Sequence, residues 1–211
     1  MSEIIDFKKK NRELYSPKTE PSKINVPEMF FVAVQGKGNP NEPDGEYQTA
    51  IPVLYGILYT IKMSKKADFT PKGYFDYVVP PLEGLWWLSD NIASLKDKSK
   101  YNWISMIRLP EFVDENVLQW ACRDLAKKKK IDTSKAFLYK YNEGLSVQCM
   151  HIGIYDEEPK TLAKMEEYIQ HNNLISDLTE TRRHHEIYLS DPRKTATDKM
   201  KTVLRVPVKV C

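Results

Sequence analysis

The chain is predicted to be an α+β domain in which a β-α-β-β run occurs twice, separated by a linking helix. Three observations carry this. Two apolar, β-branched strands each end near a glycine, at Gly36 and Gly153. Each then runs into an acidic Glu-Pro turn, Glu42-Pro43 and Glu158-Pro159, and a stretch of helical periodicity. After each helix come two further strand-like segments.

Residues 1–27 contain Pro17, Pro21 and Pro27 and show no sustained periodicity, so they read as an N-terminal arm packed along the domain or as a partly ordered lead-in. The domain proper spans 28–211. Its first repeat, about 28–110, opens with the strand MFFVAVQGKG and the turn NPNEPDG. The helix EYQTAIPVLYGILYTIKMSKK follows, with Tyr47, Ile51, Leu54, Tyr55, Leu58 and Ile61 at helical spacing. Pro52 and Gly56 lie inside it and either could bend it. FDYVVPPLEGLWWL and YNWISMIRLP are the next two strands, separated by the polar turn DKSK.

The linking helix, about 111–130, buries Val117, Leu118, Ala121 and Leu125. It ends in the run Lys127–Lys130, which suits a solvated C-terminal turn favoured by the helix dipole. A polar connection leads to the second repeat, about 145–210. There SVQCMHIGIY is a strand and DEEPKT a turn whose Pro159 suits a helix start. LAKMEEYIQHNN is a helix with Leu162, Met165 and Ile169 on one face, and RHHEIYLSD and TVLRVPVKV are strands. Each unit leaves one sheet face uncovered. Two of them either bury those faces in one continuous pseudo-symmetric core or leave a ligand cleft between them, and both can hold at once.

Composition narrows the function classes. Of 211 residues, 41% are hydrophobic and 29% charged, and no apolar run approaches the ~18 residues of a membrane span. The charged N-terminus, MSEIIDFKKKNREL, speaks against a secretory leader and makes a cytoplasmic protein the expectation. A net charge of +3, from 32 basic and 29 acidic residues, lacks the basic excess of an obligate nucleic-acid binder. Cys122, Cys149 and Cys211 are odd in number and widely spaced, which argues against a disulfide framework and a zinc site. His184 and His185 face opposite ways in a strand, and His151 and His171 stand outside any HxxxH or HExxH spacing, so no metal and no cofactor is expected. Cys149 in a buried strand and Cys122 on an apolar helix stripe read as inert packing.

The residues VAVQGKGNPNEPDGEYQTAIPVLY and HHEIYLSDP, set in two-repeat order, resemble the GyrI-like small-molecule-binding family over about residues 25–210. That family includes ligand domains of multidrug-sensing transcription regulators and the gyrase-inhibitory protein of enterobacteria. The resemblance implies a duplicated SHS2-type fold and a pocket role for the acidic residue of the penultimate strand, here Glu186. The regulators carry a DNA-binding helix-turn-helix ahead of the ligand domain. Only about 27 residues precede the first strand here, so direct DNA binding is not expected. The arm FKKKNRELYSPK is similar to that of stand-alone members that open electrophilic cyclopropanoid natural products and so detoxify them.

Alternation in RHHEIYLSD puts His185, Ile187 and Leu189 on one face and His184, Glu186 and Tyr188 on the other. The Ile187 face is expected to pack under the helices, leaving Glu186 to the cleft, where burial beside aromatics would raise its pKa. By periodicity alone, an exposed sheet glutamate paired with a lysine remains open. A pocket carboxylate suits either pairing with a cationic lipophilic ligand or general-base activation of water. Aromatic walls are expected from Tyr55, Trp87 and Tyr188, with Tyr59, Tyr155, Trp103 and Trp120 as further candidates, since flat rings stack on planar ligands. Tyr55 is the choice for hydrogen-bonding a developing oxyanion. The partner is then a lipophilic or electrophilic small molecule. The competing classes are a non-catalytic binder or sensor and a protein-interaction module of the gyrase-inhibitor type.

Overall fold

A computed structural model describes residues 4–88 and 97–211. In chain order the elements are α1 (Phe7–Lys10), α2 (Arg12–Tyr15), β1 (Ser22–Val26), β2 (Met29–Lys37), α3 (Glu46–Lys62), β3 (Leu82–Leu88), β4 (Tyr101–Arg108), α4 (Glu115–Lys129), β5 (Ala136–Tyr141), β6 (Gly144–Ile152), α5 (Glu158–His171), β7 (Leu174–Ser176), β8 (His184–Tyr188) and β9 (Lys201–Val210). The class is α+β, with antiparallel pairing in every strand pair whose register is described. The order β2-α3-β3-β4 is followed later by β6-α5-β8-β9, with the short β7 added in the second run. No described helix is long and apolar enough to cross a membrane.

The chain divides into two compact units: Met1–Lys10 with Met29–Pro80 and Trp87–Tyr141, and Asn11–Glu28 with Pro81–Trp86 and Asn142–Cys211. In the first unit β2 lies between β4 and β5. α3 packs with Tyr47, Ala50, Leu54, Ile57, Leu58 and Ile61 buried, and Tyr55 sits half-buried at the flank of that stripe. α3 runs on through Pro52, which falls on its exposed side. Gly56 has a packing reason: a Cβ there would stand 2.8 Å from Leu125 Cδ2 of α4. α4 starts at Asp114, whose carboxylate accepts the Val117 N–H at 2.9 Å. It closes on Lys130 in the left-handed region, and its lysine run forms the last turn, with Lys128 paired to Asp124 at 2.8 Å.

In the second unit the strands run β1-β6-β9-β8 and then β3 over Leu82–Trp86, while β7 pairs with the far end of β9. α5 covers one face of this sheet. Its Met165 and Ile169 pack with Val147, Cys149, Leu204 and Val208. The opposite face lies under the N-terminal segment, where Leu14 and Tyr15 of α2 are buried.

Several expectations need correction. FDYVVPPLEGLWWL is a strand only from Leu82, because the Pro80-Pro81 pair lacks the N–H groups a ladder needs. The polar connection after α4 contains a strand, β5, whose apolar residues are hidden among lysines in SKAFLYKY. α5 begins at Glu158, with Pro159 in its first turn, so the acidic turn belongs to the helix. Part of the arm is ordered sheet, since β1 pairs with β6. Most consequential, α5 lies on the face that Glu186 shares with Leu204, its direct partner on β9, and not on the Ile187 face. The segment before the DKSK turn, residues 89–96, lies outside the described residues.

Candidate functional site

β3 and β8 together carry the site. Their register places Leu82 opposite Tyr188, Gly84 opposite Glu186 and Trp86 opposite His184. Paired residues share a face, so Trp86, His184, Glu186 and Tyr188 project to one side around the bare backbone of Gly84. A Cβ on Gly84 would stand 2.6 Å from Trp86 Nε1 and 3.1 Å from the Tyr188 hydroxyl. The glycine therefore makes room for these two side chains to meet across it.

They meet through a directed chain. The Trp86 indole N–H donates to the Tyr188 hydroxyl at 2.9 Å, and that hydroxyl donates to Glu186 Oε2 at 2.7 Å. His184 Nε2 lies 3.2 Å from the other oxygen, Oε1. A carboxylate oxygen has two lone pairs and can accept more than one hydrogen bond, so these contacts orient Glu186 without using its full capacity. Its side chain keeps 14% of its surface exposed, enough for water to reach it. Tyr155 packs edge-on against Tyr188 with ring centroids 5.8 Å apart. Burial, then the nearby charges of Glu158, Glu186 and Asp191, push the Tyr155 hydroxyl up to about 12. The surroundings of Tyr155 thus combine aromatic surface with negative potential.

Of the residues predicted from sequence, the structure brings together Glu186, Tyr188 and Tyr155. Tyr55, Tyr59, Trp87, Trp103 and Trp120 belong to the first unit. Trp103 is buried edge-on to Tyr47, with Gly36 opposite it in the ladder, and Trp120 packs on Phe69 at 4.6 Å. Tyr59 is 52% exposed. Trp86 was missed. The alternation of GLWWL admits either tryptophan, and the signal for Trp86 was Gly84 two residues earlier on the same face. Burial pushes the Cys149 thiol up to about 11 and raises Cys122 as well, which keeps both protonated.

The other side of β8 holds what sequence reading did not anticipate. His185, Glu83, Glu143 and Arg205 are all buried there, each at most 1% exposed. His185 Nδ1 lies 3.0 Å from Glu143 Oε2, and Nε2 lies 2.9 Å from Glu83 Oε2. Arg205 donates to Glu143 Oε2 at 3.2 Å and to Gln148 Oε1 at 3.1 Å, and also to the Leu14 carbonyl. The Tyr15 hydroxyl reaches Glu83 Oε1 at 3.4 Å. Burial alone would lower the imidazole pKa; the charge and hydrogen bond of Glu143, then the contact with Glu83, raise it to about 9. For Glu143 burial works upward, and the charges of His185 and Arg205 overcome it and bring the carboxyl down to about 2. Two carboxylates thus face two cations, which is how buried charge is tolerated.

Comparison with known proteins adds to this geometry. An uncharacterized conserved protein from Listeria innocua is 49% identical, with a TM-score of 0.92 over 97% of this chain and 100% of that one. Two structures described as hydrolases from Listeria innocua are 47% and 49% identical, with TM-scores of 0.88 and 0.89. They cover 97% and 98% of this chain, and each is matched over 100% of its length. Comparison with curated proteins returned no match. Residues 19–209 match the family described as GyrI-like small molecule binding domain, and the chain belongs to that family.

Proposed function

We propose that the protein hydrolyses electrophilic cyclopropanoid compounds, with Glu186 as the general base. The observation that carries this reading is the Trp86–Tyr188–Glu186 chain, which holds a partly exposed carboxylate in one orientation on an aromatic surface. The hydrolase description of relatives at 47% and 49% identity supports it.

In this reading a planar substrate stacks on the aromatic side chains and brings its cyclopropane carbon next to a water held by Glu186. Glu186 takes a proton from that water as its oxygen bonds to the less hindered ring carbon. The strained carbon–carbon bond breaks, and its electron pair passes into the conjugated carbonyl, which becomes a phenolate. The proton on Glu186 then neutralises the phenolate through solvent. Net, one water is added. Tyr188, whose hydroxyl donates to Glu186 Oε2, orients the base.

The test is a chromatographic and mass-spectrometric assay with a spirocyclopropyl-cyclohexadienone. Turnover above the no-protein rate, lost in Glu186→Gln, supports the proposal. Equal product with and without protein contradicts it.

A second reading has its own support. Glu158, Glu186 and Asp191 make the surroundings of Tyr155 negative, which suits binding of a lipophilic cation. Under that reading Glu186→Gln weakens cation binding and there is no turnover to lose.

A further inference from the structure

We propose that His185 is a positioning residue for Glu186: gripped at both ring nitrogens by Glu83 and Glu143, it fixes the seat of β8 on β3 from the face opposite the site. The inference rests on reading Glu186 as the reacting carboxylate, and it assigns the buried ionic cluster a part in that chemistry.

The argument starts from valence. Both ring nitrogens of His185 lie within hydrogen-bond distance of carboxylate oxygens, at 3.0 and 2.9 Å. Ionised carboxylates only accept, so both nitrogens donate and the ring is an imidazolium. A neutral ring could satisfy only one of the two partners. The groups facing it come from several elements: Glu83 from β3, Glu143 from the turn before β6, Arg205 from β9 through Glu143, and Tyr15 from α2 through Glu83. Each bond is directional. An apolar filling of the same volume would hold these strands at least as firmly. What the ionic set adds is a single allowed placement of β8 relative to β3 and β9.

That placement reaches the site directly. His185 precedes Glu186, and Glu83 precedes Gly84, so both ends of one ion pair flank the Gly84–Glu186 ladder position. On the site face Trp86 and Tyr188 close over Gly84 with no spare room. A shift of a few tenths of an ångström between β3 and β8 would therefore lengthen the Trp86–Tyr188–Glu186 chain, while contacts elsewhere would absorb it.

The test uses the full chain, with the Trp86 indole N–H as a local reporter in ¹H–¹⁵N spectra, assigned by Trp86→Phe. In folded His185→Gln, the Trp86 resonance is expected to move and the amides of Gly84 and Glu186 to exchange ~10-fold faster or more, with the Trp103 and Trp120 indoles unchanged. In the hydrolysis assay kcat is expected to fall ~10-fold or more, with KM held within about twofold. An unchanged Trp86 resonance and unchanged exchange at Gly84 and Glu186 would overturn the proposal. Should His185→Gln fail to fold, titration of the wild type decides. The Trp86 resonance is expected to follow a transition near pH 9, and a signal flat to pH 10 overturns the assignment. Absence of turnover in the wild type would sink the hydrolase reading alone, since the Trp86 reporter reads the positioning without substrate.

Discussion

The two faces of β8 treat the same residue type in opposite ways. On one face Glu186 is partly exposed and held by a tyrosine hydroxyl, with an imidazole 3.2 Å away. On the other, Glu83 and Glu143 are buried and matched by His185 and Arg205. A buried carboxylate with a cation on it is costly to separate and a poor base, because its lone pairs and its charge are already committed. A carboxylate oriented by a tyrosine hydroxyl keeps capacity for a water and its proton. Under the proposed function, structure falls to one face and chemistry to the other.

The largest expected effect lies on the chemical face. Glu186→Gln should lower turnover ~10²–10⁴-fold, the usual worth of a positioned general base. Its melting temperature should stay close to that of the wild type, and a large drop would mean that Glu186 is structural too. On the buried face the reverse holds. His185→Leu removes the cation that Glu83 and Glu143 share, leaving Glu143 with Arg205 and Glu83 with the Tyr15 hydroxyl, and should cost about 3–5 kcal/mol of stability in denaturant unfolding. A loss under about 1 kcal/mol would show that the cluster is not the tie described here.

The buried face should also govern pH dependence. His185 has its pKa raised from 6.5 to about 9, so its contribution is complete below about 6.5 and lost as pH rises through 9. Glu143, lowered from 4.5 to about 2, contributes above about 4.5 and loses that as pH falls through 2. The two share one interaction and are not summed. Unfolding free energy should therefore be level from about pH 4.5 to 6.5 and decline by about 3 kcal/mol toward pH 10. In His185→Gln the alkaline decline should be absent.

Smaller effects sharpen the contrast. Gly84→Ala places a methyl 2.6 Å from Trp86 Nε1, and the indole must move. About 1–3 kcal/mol of stability should be lost, with turnover reduced and the buried cluster intact by its alkaline transition. Tyr188→Phe removes one hydrogen bond to Glu186 and one acceptor for Trp86, and should cost about 0.5–1.5 kcal/mol. A Tyr188→Phe protein with unaltered kcat would remove tyrosine orientation from the account.

Much of this was readable before the fold was known. Period-two alternation separated Glu186 and Tyr188 from His185 and Ile187 correctly, because strand geometry is local. The helices α3, α4 and α5 declared themselves by apolar spacing and by Pro159. Which face α5 would cover was not readable, because Ile187 and Leu204 are equally apolar and only the β8–β9 register decides between them. Trp86 and Trp87 are likewise equivalent until β3 is paired with β8. The ionic cluster was hidden for the same reason. Glu83, Glu143, His185 and Arg205 span 122 positions and look like surface residues in sequence. Only the sheet brings them together, and burial then requires that their charges match.

The most direct measurement compares wild type and Glu186→Gln on a spirocyclopropyl-cyclohexadienone in ¹⁸O-labelled water, reading product mass and rate. The account predicts catalytic formation of a ring-opened phenol carrying one ¹⁸O with wild type. It predicts a rate ~10²–10⁴-fold lower with Glu186→Gln, which should still bind a neutral ligand. Equal rates for the two proteins would contradict it.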